Sequence, residues 1–123
     1  MKTSLCHCRP CRKISGGTAS LNLTVPDKNF VLKTGELKKV RTTHVDEGFD
    51  FSIAFCPDCG SPIYGQPHPN PGDPELGIVV IQVGTLDNMG PLKATPTVEI
   101  NVKHRLPWVG KVESAHQKRT YVD

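Results

Sequence analysis

A chain of 123 residues can bury one modest core, and its 37% apolar content is thin even for that. The net charge of +3 is spread along the chain and aromatics are few, which argues against a nucleic-acid surface. No run of residues has the length and apolarity of a membrane span. Gly and Pro, 11 of each, favour turns over long helices.

Taken in chain order, residues 1–5 hold no apolar h-region, so a cytoplasmic setting with reduced thiols is expected. Cys6-His7-Cys8-Arg9-Pro10-Cys11 follows at once. Residues 18–25 alternate apolar and polar and stop at the turn signal Pro26-Asp27, which predicts a strand. Residues 30–33 predict a short second strand, and residues 37–44, β-branched and charged, an edge strand. Phe49, Phe51, Ile53 and Phe55 mark one face of a further strand that runs into Cys56-Pro57-Asp58-Cys59-Gly60. Ile63-Tyr64-Gly65 resumes the strand pattern, so the second cysteine cluster is expected at a hairpin tip, with Gly60 supplying a positive φ and Asp58 capping the turn. Residues 66–75 are rich in proline and predict a mobile surface loop. Residues 77–84 are the most apolar run and predict a central buried strand; residues 96–102 predict the last strand, with a polar tail after Trp108. The expectation is a single all-β domain over residues 1–123.

All five cysteines fall in the two clusters. An odd count at such close spacing points to metal rather than disulfides, and sulfur ligands point to tetrahedral Zn2+. His7, between two cysteines, is expected to point away from their metal by strand alternation. Ser15-Gly16-Gly17 predicts a plain turn. His44, His68, His104 and His116 are scattered and expected at the surface, and Trp108 is expected to pack. No hydrolase triad, phosphate loop or dinucleotide fingerprint is present.

The cysteine clusters with their flanks, Cys-His-Cys-x-x-Cys-Arg-Lys with Ser-Gly-Gly and Phe-Cys-x-x-Cys-Gly-Ser-Pro-Ile-Tyr, resemble the glutathione-dependent formaldehyde-activating enzymes, a family that includes the centromere protein V relatives. Val79 to Leu86, Pro96, Glu99-Ile100 and Trp108 extend the resemblance. It implies twisted antiparallel sheets of the methionine sulfoxide reductase B-like, zinc-binding kind. It also implies a three-thiolate catalytic zinc on Cys6, Cys8 and Cys11, with Cys56 and Cys59 as half of a structural four-thiolate zinc. The family's other half comes from an earlier Cys-x-Cys strand; this chain starts after it, so a sheet edge is expected to be exposed. A single pooled ion, held by Cys56, Cys59 and two cysteines of the first cluster, is the alternative arrangement; the spacing kept within each cluster favours the family's partition.

The activity so implied is carbon–sulfur lyase or synthase chemistry on adducts of a glutathione-like thiol with an aldehyde. Arg12 and Lys13, directly after the first cluster, either receive the thiol ligand's carboxylates or form a solvated basic pair. The other readings are a zinc-stabilised binding module without catalysis and an inactive member of the family.

Overall fold

Pleated backbone sends successive side chains to opposite faces, and the burial of the three strands that carry the core follows that period. The computed structural model describes residues 2–68 and 76–123. Among these, the strands are β1 (Ser4–Cys6), β2 (Ser20–Pro26), β3 (Lys38–Thr43), β4 (Asp50–Phe55), β5 (Pro62–His68), β6 (Ile78–Gln82), β7 (Val98–Ile100) and β8 (His116–Gln117). All eight join one sheet in the order β3-β4-β5-β6-β2-β1-β7-β8. Ala54 on β4, Tyr64 on β5, and Val79 and Ile81 on β6 are buried together, covered by Leu23, Val25, Phe30, Leu37, Ile63 and Leu86.

The all-β expectation holds, and the pairing is antiparallel across most of the sheet. At one end it turns parallel: β7 pairs parallel with both β1 and β8. Parallel neighbours need long crossovers. Here most of the chain lies between β1 and β7, and residues 101–115 lie between β7 and β8.

Three local expectations change. Residues 30–33 form no strand. β2 already has β1 and β6 as neighbours, so the chain leaving it finds no adjacent edge. Phe30 instead closes a 3-10 turn over Asp27–Asn29 and sets its ring edge-on to Tyr64, with centroids 4.9 Å apart. Strand β5 runs on through Gln66 and His68, into the segment expected as loop. The mobility expected of the rest of that loop falls on residues 69–75, which lie outside the described residues. Finally, Ser4–Cys6, where no strand is expected from the residues, is a strand in the sheet interior, between β2 and β7. The long edge is β3, where all six residues are exposed and Lys38, Lys39 and Arg41 blunt it against pairing with another chain.

Two short helices complete the described fold, α1 (Arg9–Ser15) and α2 (Met89–Lys93). Helix α1 has Cys8 as its N-cap, Pro10 in the first turn, where no N–H is missed, and Gly16 in the left-handed conformation at its end. The carboxy-terminal tail is held along β7: Lys118 N–H donates to Glu99 O at 2.8 Å, and Asn101 N–H donates to Thr120 O at 3.2 Å.

Candidate metal centre

The first cysteine cluster spans the joint between a strand and a helix. β1 delivers Cys6, the chain turns at His7, and Cys8 and Cys11 occupy the N-cap and first turn of α1. A helix start exposes N–H groups, and Cys8 Sγ accepts one of them, Cys11 N–H, at 3.4 Å. This geometry folds the three sulfurs of Cys6, Cys8 and Cys11 to within 4.8 Å of one another. Thiolates bound to one tetrahedral zinc at about 2.3 Å stand about 3.8 Å apart, so the group fits such an ion with small adjustments. Cys6 and Cys8 are buried and Cys11 is half-buried.

The electrostatics of the cluster favour a cation. Hydrogen bonds from Cys11 and Cys8 lower the Cys6 thiol to about 2, against the opposing effect of burial. For Cys8 the bond from Cys11 also lowers the pKa, but the bond to Cys6, burial and the Cys6 charge outweigh it and push Cys8 up to about 11. Cys11 is raised by its bonds to Cys6 and Cys8 and by burial. One sulfur therefore ionises readily, and its charge opposes the next two. A divalent cation removes that opposition, and three soft sulfurs suit zinc.

A second set of groups surrounds the sulfurs. Asn101 Nδ2 donates to Cys6 Sγ at 3.4 Å from a left-handed backbone with φ 57°. Tyr121 Oη–H donates to Cys8 Sγ at 3.6 Å. Burial and the neighbouring Cys6 and Cys8 charges raise the Tyr121 phenol, so it stays protonated. His7 points away from the sulfurs, as alternation requires, and its Nε2 lies 2.8 Å from Glu99 Oε1, with both side chains 1% exposed. The other Glu99 oxygen accepts from Gln117 at 2.7 Å, Val112 N–H at 2.9 Å and Arg105 at 3.0 Å. Burial pushes the Glu99 carboxyl up, but its bonds from Gln117, Val112 and His7, with the Arg105 charge, hold it below the usual range.

The remaining candidates are dispersed. Arg12 and Lys13 follow Cys11 on α1. Arg12 Nε is buried without a hydrogen-bond partner among the described residues. Lys13 lines a cavity of about 150 Å³ with Pro10, Ile14, Thr43, Phe51 and Ile53. Cys56 and Cys59 sit at the β4–β5 hairpin tip, where Gly60 N–H donates to Cys56 O at 2.8 Å and Gly60 has φ 79°. In that turn Cys59 Sγ lies 3.2 Å from Ser61 Oγ, which lowers the exposed Cys59 thiol. No group of three ligand atoms among the described residues includes either cysteine, so their sulfurs are not gathered here with two of the first cluster, as a pooled ion would need. Ser15-Gly16-Gly17 is a plain turn whose N–H groups serve Arg12 O and Ser15 Oγ.

The histidines and the tryptophan bring further corrections. His44 is buried, ringed by Phe49, Phe51 and Tyr121, and burial lowers its pKa. His68 is buried on Ser52 Oγ at 2.8 Å, and His104 is half-buried, 3.7 Å from Asp46. His116 is exposed as expected. Trp108 does not pack; it is 75% exposed. Glu99, Asn101 and Tyr121 were missed as site residues. A carboxylate between Val98 and Ile100 is the one local signal among them, because a charge in a short apolar strand needs partners.

No helix among the described residues is long and apolar enough to cross a membrane. No curated protein matches the chain. Its residues 1–104 match the family model described as glutathione-dependent formaldehyde-activating enzyme, well over half its length, and the chain belongs to that family.

Proposed function

We propose that the protein is a zinc-dependent carbon–sulfur lyase, and synthase in reverse, acting on adducts of a glutathione-like thiol with an aldehyde. The convergence of the Cys6, Cys8 and Cys11 sulfurs within 4.8 Å, in a chain of this family, carries the reading. Three protein donors leave a tetrahedral ion one position for an exogenous ligand. Bound zinc supplies the positive charge that keeps an incoming thiol ionised near neutral pH.

In the synthase direction the substrate's sulfur attacks the carbonyl carbon. A carbon–sulfur bond forms, the carbonyl π pair moves to oxygen, and that oxygen takes up the proton the thiol gave to solvent. The lyase direction breaks the same bond. Cys6, Cys8 and Cys11 hold the ion. Arg12 and Lys13 are the residues assigned to the ligand's carboxylates in this reading, supported by the unpartnered buried Nε of Arg12 and by the cavity that Lys13 lines. Cys56 and Cys59 hold the hairpin knuckle and take no part in this chemistry.

Cys8→Ser tests the reading. It is expected to release zinc and abolish glutathione-dependent formaldehyde consumption, followed by NMR, with the far-UV circular dichroism unchanged. Turnover retained in that variant removes the catalytic assignment.

A further inference from the structure

We propose that Tyr121 is a positioning residue of the metal centre, held by His44 so that its hydroxyl always donates to the Cys8 sulfur. The inference rests on the three-sulfur group binding a metal, as above, and adds a residue beyond the stretch that matches the family, residues 1–104.

The directionality follows from a chain of hydrogen bonds whose far end is fixed by backbone. The N–H groups of Asp46 and Glu47 both point at His44 Nδ1, each at 3.2 Å. A nitrogen that accepts two N–H groups carries no proton, so the neutral ring has its proton on Nε2. Nε2 lies 3.1 Å from Tyr121 Oη and must donate to it. With that lone pair engaged, the phenolic proton is directed onward, and Cys8 Sγ stands 3.6 Å away to take it. Ring packing holds the phenol in position. Tyr121 lies edge-on to His44 and Phe49, with both centroids 5.8 Å away.

The turn that starts this chain is itself pinned to the metal helix. Arg9, the first residue of α1, pairs with Asp46, Lys103 reaches Glu47 at 3.5 Å, and His44 N–H closes onto Phe49 O at 2.7 Å. Tyr121 reaches the site because the tail is tied along β7 just before it. Each link is therefore set by a different element, and none depends on the ion.

The three sulfurs are thereby made unequal. Cys8 receives a hydroxyl and a backbone N–H, Cys6 receives the Asn101 amide, and no N–H or O–H donor reaches Cys11 among the described residues. A donor aimed at a thiolate withdraws charge from it and fixes its direction, as ligand-orienting groups do at other metal sites.

Tyr121→Phe removes one hydrogen bond and keeps the ring. The expected result is a zinc affinity about 10- to 100-fold weaker in competition with a chromophoric chelator. The sulfur-to-metal charge-transfer band of the cobalt-loaded protein should move to longer wavelength, because Cys8 becomes the better donor. His44→Leu should shift the band the same way in the wild type and add nothing on top of Tyr121→Phe. If Tyr121→Phe yields no folded protein, the His44→Leu band decides alone: a shift supports the chain and an unmoved band overturns it. A wild-type protein that binds cobalt with a band unchanged by Tyr121→Phe refutes this proposal and leaves the metal centre standing. A wild-type protein that binds neither cobalt nor zinc refutes both.

Discussion

Glu99 carries a full charge at a position with no exposed surface, and its survival there depends on its partners. His7, Gln117, Arg105 and the Val112 N–H together satisfy both oxygens. A buried carboxylate is costly unless every lone pair is engaged, and removing the charge strands the donors instead. Glu99→Leu is expected to cost about 3 to 5 kcal/mol in urea unfolding. The pH dependence has a definite sign. The folded pKa is depressed, so the stabilisation is complete above the unfolded carboxylate range and is lost as pH falls through the lower folded value. Wild-type stability should therefore decline on acidification, and Glu99→Gln should flatten that decline while lowering stability at neutral pH. A Glu99→Gln variant that follows the wild-type acid profile unchanged would show that the carboxylate is not the responsible group.

Helix α1 is seven residues long, too short to be stable alone, so its ends and contacts decide its position. The start is capped by a sulfur that is also a candidate ligand, which ties local structure directly to the metal centre. The end is Gly16, with φ 66° and no atom within 4 Å of where a Cβ would stand. Space is therefore no obstacle to a side chain there, and the cost is backbone alone. Gly16→Ala is expected to lose about 1 to 2 kcal/mol by thermal or urea unfolding. Zinc binding should be kept, because Cys8 and Cys11 lie at the opposite end of the helix. A loss of metal in Gly16→Ala would mean that the helix is held by its end cap rather than by its start. At the other side of the site, β7, β8 and the tail act together: β7 supplies Glu99, β8 supplies Gln117, and the tail supplies Tyr121.

On the scale of the whole molecule, the cluster of thiols lies where the sheet changes from antiparallel to parallel pairing. β1 meets β2 on one side and β7 on the other, so an ion held by Cys6, Cys8 and Cys11 joins the end of an interior strand to α1. The hydrophobic cluster sits elsewhere, on β4, β5 and β6, and is small. Metal binding should then add to global stability by mass action, about 2.7 kcal/mol at free zinc 100-fold above its Kd. Calorimetry should show a melting temperature that rises with zinc and returns with chelator. Cys8→Ser should show no such rise. An equal rise in that variant would place the stabilising ion away from the three sulfurs.

Residues 6–11 and the knuckle at residues 56–60 were legible in the chain itself, since ligand spacing and turn chemistry are short-range properties. The strands at residues 37–44, 49–55 and 77–84 were legible for the same reason: two-residue alternation, or an unbroken apolar run, needs no knowledge of partners. The segment at residues 30–33 read as a strand because its composition suits one; only the crowded position of β2 denies it an edge. His44 looked like a surface residue because nothing near it in sequence announces Tyr121, 77 positions away. The same distance problem hid the link from Tyr121 to Cys8, which are 113 positions apart. Amino-acid order set the donor atoms and the local turns that gather them. Which groups surround those donors was decided by parallel pairing of the two chain ends, because hydrogen bonds across such separations exist only after the sheet has closed.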